Sequence, residues 1–231
     1  TTLYAVSPWL EADKSVPVGD APLLGRERPS RIIKTHLPVS HCPYGAGARY
    51  VYVARHPVSC FASCVDFIAT NVGAMAPDLN AIEAWFTSER MWWGPWPAHV
   101  AGWWERARRE ENVLFVRFED MKEDLPTVAR GVTAFLGLAP LAREELEGVL
   151  HKCGFDYMRG HSAAFEMHPP HILATDAELF VRGTADRLRD VPGAVRDRIA
   201  RWCTAELEAR GVRPEELYPD LAADPRPSAA G

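Results

Sequence analysis

Lys34 and His36 stand two residues apart at the end of a short run, Arg31-Ile32-Ile33-Lys34-Thr35-His36, that Pro38 stops. On an extended chain such residues point the same way, so an ammonium and an imidazole converge on one ligand. A fixed cation beside a base that titrates near neutrality suits transfer of an anionic group with removal of a proton. On spacing alone, the alternative is a strand-end histidine bonded to backbone, with Lys34 in solvent. A second constellation, Arg55-His56-Pro57, ends another apolar run and opens a helix carrying Ser59 and Ser63. A helix N-terminus offers free N–H groups and positive dipole to an anion, and the planar fork of Arg55 matches phosphate oxygens. Ser63, about two turns in, reaches that anion only if the ligand lies along the helix. The alternative is a capped helix with a solvated arginine. Phe118-Glu119-Asp120 ends a third apolar run and, without context, reads as a core aromatic and a turn. Arg182-Gly183 follows a long loop and can set a guanidinium and backbone amides around a phosphate.

These groups need elements to hold them. Arg31–His36, Tyr50–Arg55 and Asn112–Phe118 read as strands, β-branched or aromatic and with little alternation, which suits a parallel sheet covered on both faces. Helices are expected from His56 to about residue 70, over Ala81–Arg90, Ala98–Glu110, Leu125–Leu136 and Ala142–Cys153, and over Val195–Arg210, with Gly137 as a C-terminal stop. Pro57 falls in a first helical turn, where its missing N–H costs nothing. Ile199, Trp202, Cys203 and Leu207 form one stripe of the last helix. Residues 159–178 form a long loop of the kind that carries function. The tail 222–231 is expected to be disordered. Strands alternating with helices give an α/β fold with a mainly parallel sheet, in one domain over 1–221.

A formal net charge of −5 argues against general nucleic-acid binding, which needs a basic face. Cys42, Cys60, Cys64, Cys153 and Cys203 make an odd set without a CxxC pair; Cys60 and Cys64 share a helix face as core residues, and a reducing compartment fits. No apolar run is read as long enough to span a membrane, and the first residues do not form a signal peptide. His151, His161, His168 and His171 match no zinc spacing, so no metal is expected. Trp92, Trp93 and Trp96 either line an apolar pocket or pack in the core. There is no GxxxxGK[ST] loop, which disfavours a P-loop kinase.

In order along the chain, Lys34-Thr35-His36-Leu37-Pro38, Tyr52-Val53-Ala54-Arg55-His56-Pro57 with Ser63, Gly94-Pro95-Trp96 with His99-Val100 and Gly102-Trp103-Trp104-Glu105, Asn112-Val113-Leu114-Phe115, Phe118-Glu119-Asp120-Met121-Lys122, Phe135-Leu136-Gly137 and Phe180-Val181-Arg182-Gly183 resemble the cytosolic-type sulfotransferase family, over roughly residues 4–190. The resemblance implies a P-loop-kinase-like three-layer fold with a mainly parallel sheet flanked by helices. It implies transfer of a sulfuryl group from 3′-phosphoadenosine 5′-phosphosulfate, without a metal, to a hydroxyl or amine of a small-molecule acceptor. Carried over, His36 is the base, Lys34 stabilises charge on the sulfuryl oxygens, and Arg55, Ser63 and Arg182 with Gly183 bind the donor's 3′-phosphate. Phe118, where the family often has Tyr, faces the adenine. Cys153, where Thr is common, and Phe155 fall in a segment that often touches it. A cytoplasmic location and a homodimer also follow, although the family's short dimerisation motif is not evident around residues 190–200. The family's N-terminal phosphosulfate loop has no counterpart here: the chain is read as beginning just after it, either shortened or built without it. A non-catalytic nucleotide-binding remnant is therefore the alternative to an enzyme.

Overall fold

A computed structural model describes residues 2–12, 15–25, 29–165 and 187–221. Two strands, β1 (Tyr50–Ala54) and β2 (Val113–Arg117), pair in parallel with Tyr50 opposite Val113 and Ala54 opposite Arg117. Three helices lie between them in sequence: α1 (Pro57–Val72), α2 (Leu79–Phe86) and α3 (Trp96–Arg109). After β2 come α4 (Phe118–Glu123), α5 (Leu125–Phe135), α6 (Arg143–Lys152), α7 (Phe155–Gly160), α8 (Gly193–Ala209) and α9 (Pro214–Leu217). Pro57 is at the start of α1, and Asp78 and Asp124 cap α2 and α5 by accepting the N–H groups of Ala81 and Thr127. Gly137, just past α5, has φ +67°, a conformation that favours glycine.

The main core joins Val58, Phe61 and Ala62 of α1, Phe86 of α2, Val100 of α3 and the stripe Val195, Ile199, Cys203 and Leu207 of α8. Trp202 packs against it, as do Cys60 and Cys64. The aromatic face of β1 lies on α3, where Tyr52 stacks on Trp103 at 5.5 Å.

Three expectations need correction. Residues 31–36 are not a buried strand: Ile32 and Ile33 are 60% and 43% exposed, and the segment's strand-type pairing is an isolated bridge between Trp9 and Lys34. The Lys34 N–H donates to the Pro8 carbonyl at 2.7 Å, and the Leu10 N–H to the Lys34 carbonyl at 3.1 Å. A β-branched run has strand propensity, but a strand needs a pairing partner, and here those backbone groups go to residues 8–10. Second, β1 is not buried on both faces, since Val51 and Val53 are 41% and 49% exposed. Third, Pro57–Met75 is long and apolar enough, by length and composition, to cross a membrane. Its small polar residues hide that run from the eye. One face of it belongs to the main core, and Asp66 within it takes an ion pair from the buried Arg187 at 2.8 Å.

Candidate functional site

The register of the sheet brings the first group together. Ala54 lies opposite Arg117, so the residues that leave the two carboxyl ends, Arg55 and Phe118, emerge as neighbours, at the edge where open α/β sheets bind ligands. The Arg55 guanidinium lies over the Phe118 ring at 4.7 Å and donates through Nη1 to Ser63 Oγ at 2.6 Å. Ser63 is thus aligned along α1 with the arginine. Phe118 opens α4 instead of ending a strand. The next residue, Glu119, accepts the His56 N–H at 3.0 Å, locking the corner where β1 turns into α1. Burial pulls the Arg55 pKa down, yet a guanidinium stays charged at any working pH. The result is a fixed cation at the start of α1, a hydroxyl two turns along it and an aromatic face at the start of α4.

The second group surrounds His36. Its ring meets Trp9 edge-on at 5.0 Å and stacks on Trp93 at 5.5 Å with 19° between planes. The Lys34 ammonium sits 4.3 Å from the same Trp9 ring and 5.5 Å from Tyr4, so the two candidate residues converge on one aromatic wall and Lys34 is not simply solvated. Burial, and then the Lys34 charge, push the His36 pKa below its ordinary value against a weaker opposing pull from Glu11. The imidazole is therefore neutral near pH 7 and able to take a proton. Its Nδ1 is buried without a hydrogen-bond partner, which leaves Nε2 as the nitrogen that can meet a ligand.

Trp93 has φ +67°, rare for a bulky residue, and Gly94 follows at +89°. This turn before α3 carries the Trp93 ring onto His36. Of the tryptophan cluster, Trp96 is buried, Trp93 is on His36, and Trp92 is half exposed and edge-on to Trp85 at 4.7 Å.

Side chains to which the sequence reading gave no role in the site hold these groups. Glu11 Oε1 accepts from Thr35 Oγ1 at 2.7 Å and from the His36 N–H at 2.6 Å. Three residues of α3 clasp backbone carbonyls: Trp96 Nε1 donates to Arg55 at 3.0 Å, His99 Nε2 to His36 at 2.9 Å, and Trp103 Nε1 to Leu37 at 3.3 Å. A Cβ on Gly102 would fall 2.7 Å from Val39 Cγ1, so α3 approaches this segment as closely as glycine allows. The helix was expected over Ala98–Glu110 and begins at Trp96, which puts residues 96, 99 and 103 on one helical face.

Cys153 caps α6 and is exposed, and Phe155 opens α7 with the Arg159 guanidinium 5.4 Å over its ring. Among the described contacts none joins this corner to Arg55, Ser63 or Phe118. Arg182, Gly183 and the tail 222–231 lie outside the described residues. Among the described residues no group of three His, Cys, Asp or Glu side chains could hold a metal ion.

The family model "Sulfotransferase domain" matches residues 1–204. Sulfotransferase 2A1 of Rattus norvegicus is 30% identical over 68% of this chain and 55% of its own length, and sulfotransferase 1A1 of Mus musculus is 33% identical over 70% and 56%. The chain thus spans a little over half the length of the curated relatives it matches. Retinol dehydratase, solved with androsterone and the inactive cofactor PAP, superposes with a TM-score of 0.70 at 23% identity, over 84% of this chain and 57% of that one. Mouse sulfotransferase SULT7A1, solved with PAP, gives 0.69 at 21%, over 94% and 78%. These likenesses give the fold, a P-loop-like α/β architecture with a parallel sheet and flanking helices. Matched along most of its length by that model, the chain belongs to the sulfotransferase domain family.

Proposed function

We propose that the chain carries the base and the 3′-phosphate half of a sulfotransferase site, and takes part in moving a sulfuryl group from 3′-phosphoadenosine 5′-phosphosulfate to a hydroxyl or amine of a small-molecule acceptor. The observation that supports this most is that one helix, α3, grips both groups: Trp96 holds the Arg55 carbonyl and His99 the His36 carbonyl. The Arg55–Ser63–Phe118 corner fits a 3′-phosphorylated adenosine, with the guanidinium and hydroxyl for the phosphate and the ring for the adenine. Arg182 and Gly183 would add to the phosphate, and Cys153 and Phe155 to the adenine.

The acceptor atom forms a bond to sulfur as the sulfur–oxygen bond to the donor's 5′-phosphate breaks. The acceptor proton goes to His36, and the electron pair stays on the departing nucleotide. Lys34 balances charge on the sulfuryl oxygens. Such a transfer depends on in-line placement and charge stabilisation, as phosphoryl transfer does. Residues 1–221 would form one domain in a cytoplasmic homodimer.

Formation of 3′-phosphoadenosine 5′-phosphate from the donor, across a panel of phenols, sterols, sugars and amines, tests this. Turnover in the wild type should fall by about 10²–10⁴-fold in His36→Ala while nucleotide binding is kept. Retained turnover removes His36 as base. Nucleotide binding without turnover in the wild type favours a binding remnant.

A further inference from the structure

Resting on His36 as base, we infer that His99 is a positioning residue that fixes the base by gripping its main-chain carbonyl, with Tyr52 holding the His99 ring in the one tautomer that can do so. Among the described residues the segment bearing His36 has no place in the sheet, so no strand ladder there fixes it. Both backbone polar groups of His36 are held instead by side chains from elsewhere: the N–H by Glu11 Oε1 at 2.6 Å and the carbonyl by His99 Nε2 at 2.9 Å. One turn further along α3, Trp103 Nε1 holds the next carbonyl, that of Leu37. Side-chain bonds to consecutive carbonyls thus replace the ladder.

The proton positions follow from the partners. A carbonyl oxygen only accepts, so His99 Nε2 carries a hydrogen. Burial lowers the His99 pKa and keeps the ring neutral, so Nδ1 is bare. Tyr52 Oη lies 2.9 Å from that Nδ1 and is the donor to it. The tyrosine is at the centre of β1, its ring stacked on His99 at 5.6 Å and on Trp103 at 5.5 Å. A continuous chain therefore runs from the sheet through Tyr52 and His99 to the backbone beneath His36. The other His99 tautomer would set an Nε2 lone pair against the carbonyl oxygen and break it. Both ring nitrogens of His99 are taken up in these bonds, so its effect would reach the chemistry through where His36 sits.

The test uses the full chain and the variants His99→Leu, His99→Gln and Tyr52→Phe. Imidazole ¹⁵N–¹H correlation spectra of the wild type should show His99 as the Nε2–H tautomer, and Tyr52→Phe should admit the other form. His99→Leu should lower kcat by about 10–100-fold, the scale set by a misplacement of roughly 1 Å, with KM for the donor unchanged. His99→Gln, whose amide N–H reaches the same carbonyl, should recover most of that loss, which a purely structural role for the ring would not predict. In a chain without turnover, the rate at which diethyl pyrocarbonate acylates His36, followed by mass spectrometry, replaces kcat: a change in His99→Leu that His99→Gln reverses is expected. An Nδ1–H tautomer at His99, or a His99→Leu variant within twofold of wild type in that readout, overturns the inference. Turnover surviving in His36→Ala would instead overturn the base assignment, while the tautomer would still report the carbonyl contact.

Discussion

Replacing Arg55 with alanine removes one guanidinium that is anchored twice, on Ser63 Oγ at 2.6 Å and over the Phe118 ring at 4.7 Å. A 3′-phosphate seated at this corner takes two charge-assisted hydrogen bonds from the fork. At about 1.5–3 kcal/mol each, less what water restores to the freed phosphate, their joint loss is about 3–4 kcal/mol. At roughly 1.4 kcal/mol per tenfold, that is a drop in affinity of about 10²–10³-fold. Adenosine 5′-phosphate lacks the 3′ group, and for it the variant loses only the cation beneath the adenine-facing ring, about 0.5–1 kcal/mol or under about tenfold. Titration calorimetry of wild type and Arg55→Ala with both nucleotides, at one ionic strength because exposed charge is screened, gives the four constants of a cycle. Arg55→Lys should fall between, since it keeps the charge and loses the fork. Equal losses for the two nucleotides, or a wild type that does not distinguish them, would refute the assignment of this corner to the 3′-phosphate.

The depressed pKa of His36 sets a pH dependence. The folded chain holds fewer protons at this site than the unfolded chain, so the stability contributed by His36 is complete above about pH 6.5 and is lost as pH falls towards the lower folded value. The thermal midpoint of the wild type should therefore fall more steeply on acidification than that of His36→Gln, and the acid limb of kcat/KM should lie below about pH 6.5. Gly102→Ala places a methyl 2.7 Å from Val39 Cγ1 and should destabilise by about 1–3 kcal/mol; pairing it with Val39→Ala in a denaturant-melt cycle should recover most of that, and additive effects would place the strain elsewhere. Leu207→Ala, at a fully buried position of the α8 stripe, should cost about 2–5 kcal/mol by urea titration, and a loss under about 1 kcal/mol would mean the site collapses around the gap.

Much of this architecture was legible in local patterns. Tyr50–Ala54 and Val113–Arg117 carry strand residues and are strands, Pro57 starts its helix, and Val195–Arg210 declares its buried stripe through Ile199, Cys203 and Leu207. The places of Arg55 just past β1 and of Ser63 on α1 follow from the same logic, since a strand end and a helix are both local events. The failures share one cause, which is that pairing is not local. Ile32 and Ile33 have the side chains of a buried strand and lie exposed, because propensity cannot say which backbone will bond theirs. Trp9 and Glu11 serve His36 from 27 and 25 residues away, and His99 from 63, as simple differences of their sequence positions. Nothing in an edge-on tryptophan or a buried carboxylate marks it in the letters as a neighbour of a particular imidazole.

The geometry of α3 bears on why the segment bearing His36 need not be part of the sheet at all. Trp96 and His99 are three residues apart, which on an α-helix is about 4.5 Å of rise, and they hold the carbonyls of Arg55 and His36. A hydrogen-bonded helix does not stretch over that interval, so the separation of Arg55 from His36 is held by a rigid element as well as by the chain between them, with its Gly-containing turn. Gly102 lets the helix close on Val39, and Trp103 adds a third grip at Leu37. In a reaction whose rate depends on placement, such a ruler would add to β1 in holding that distance.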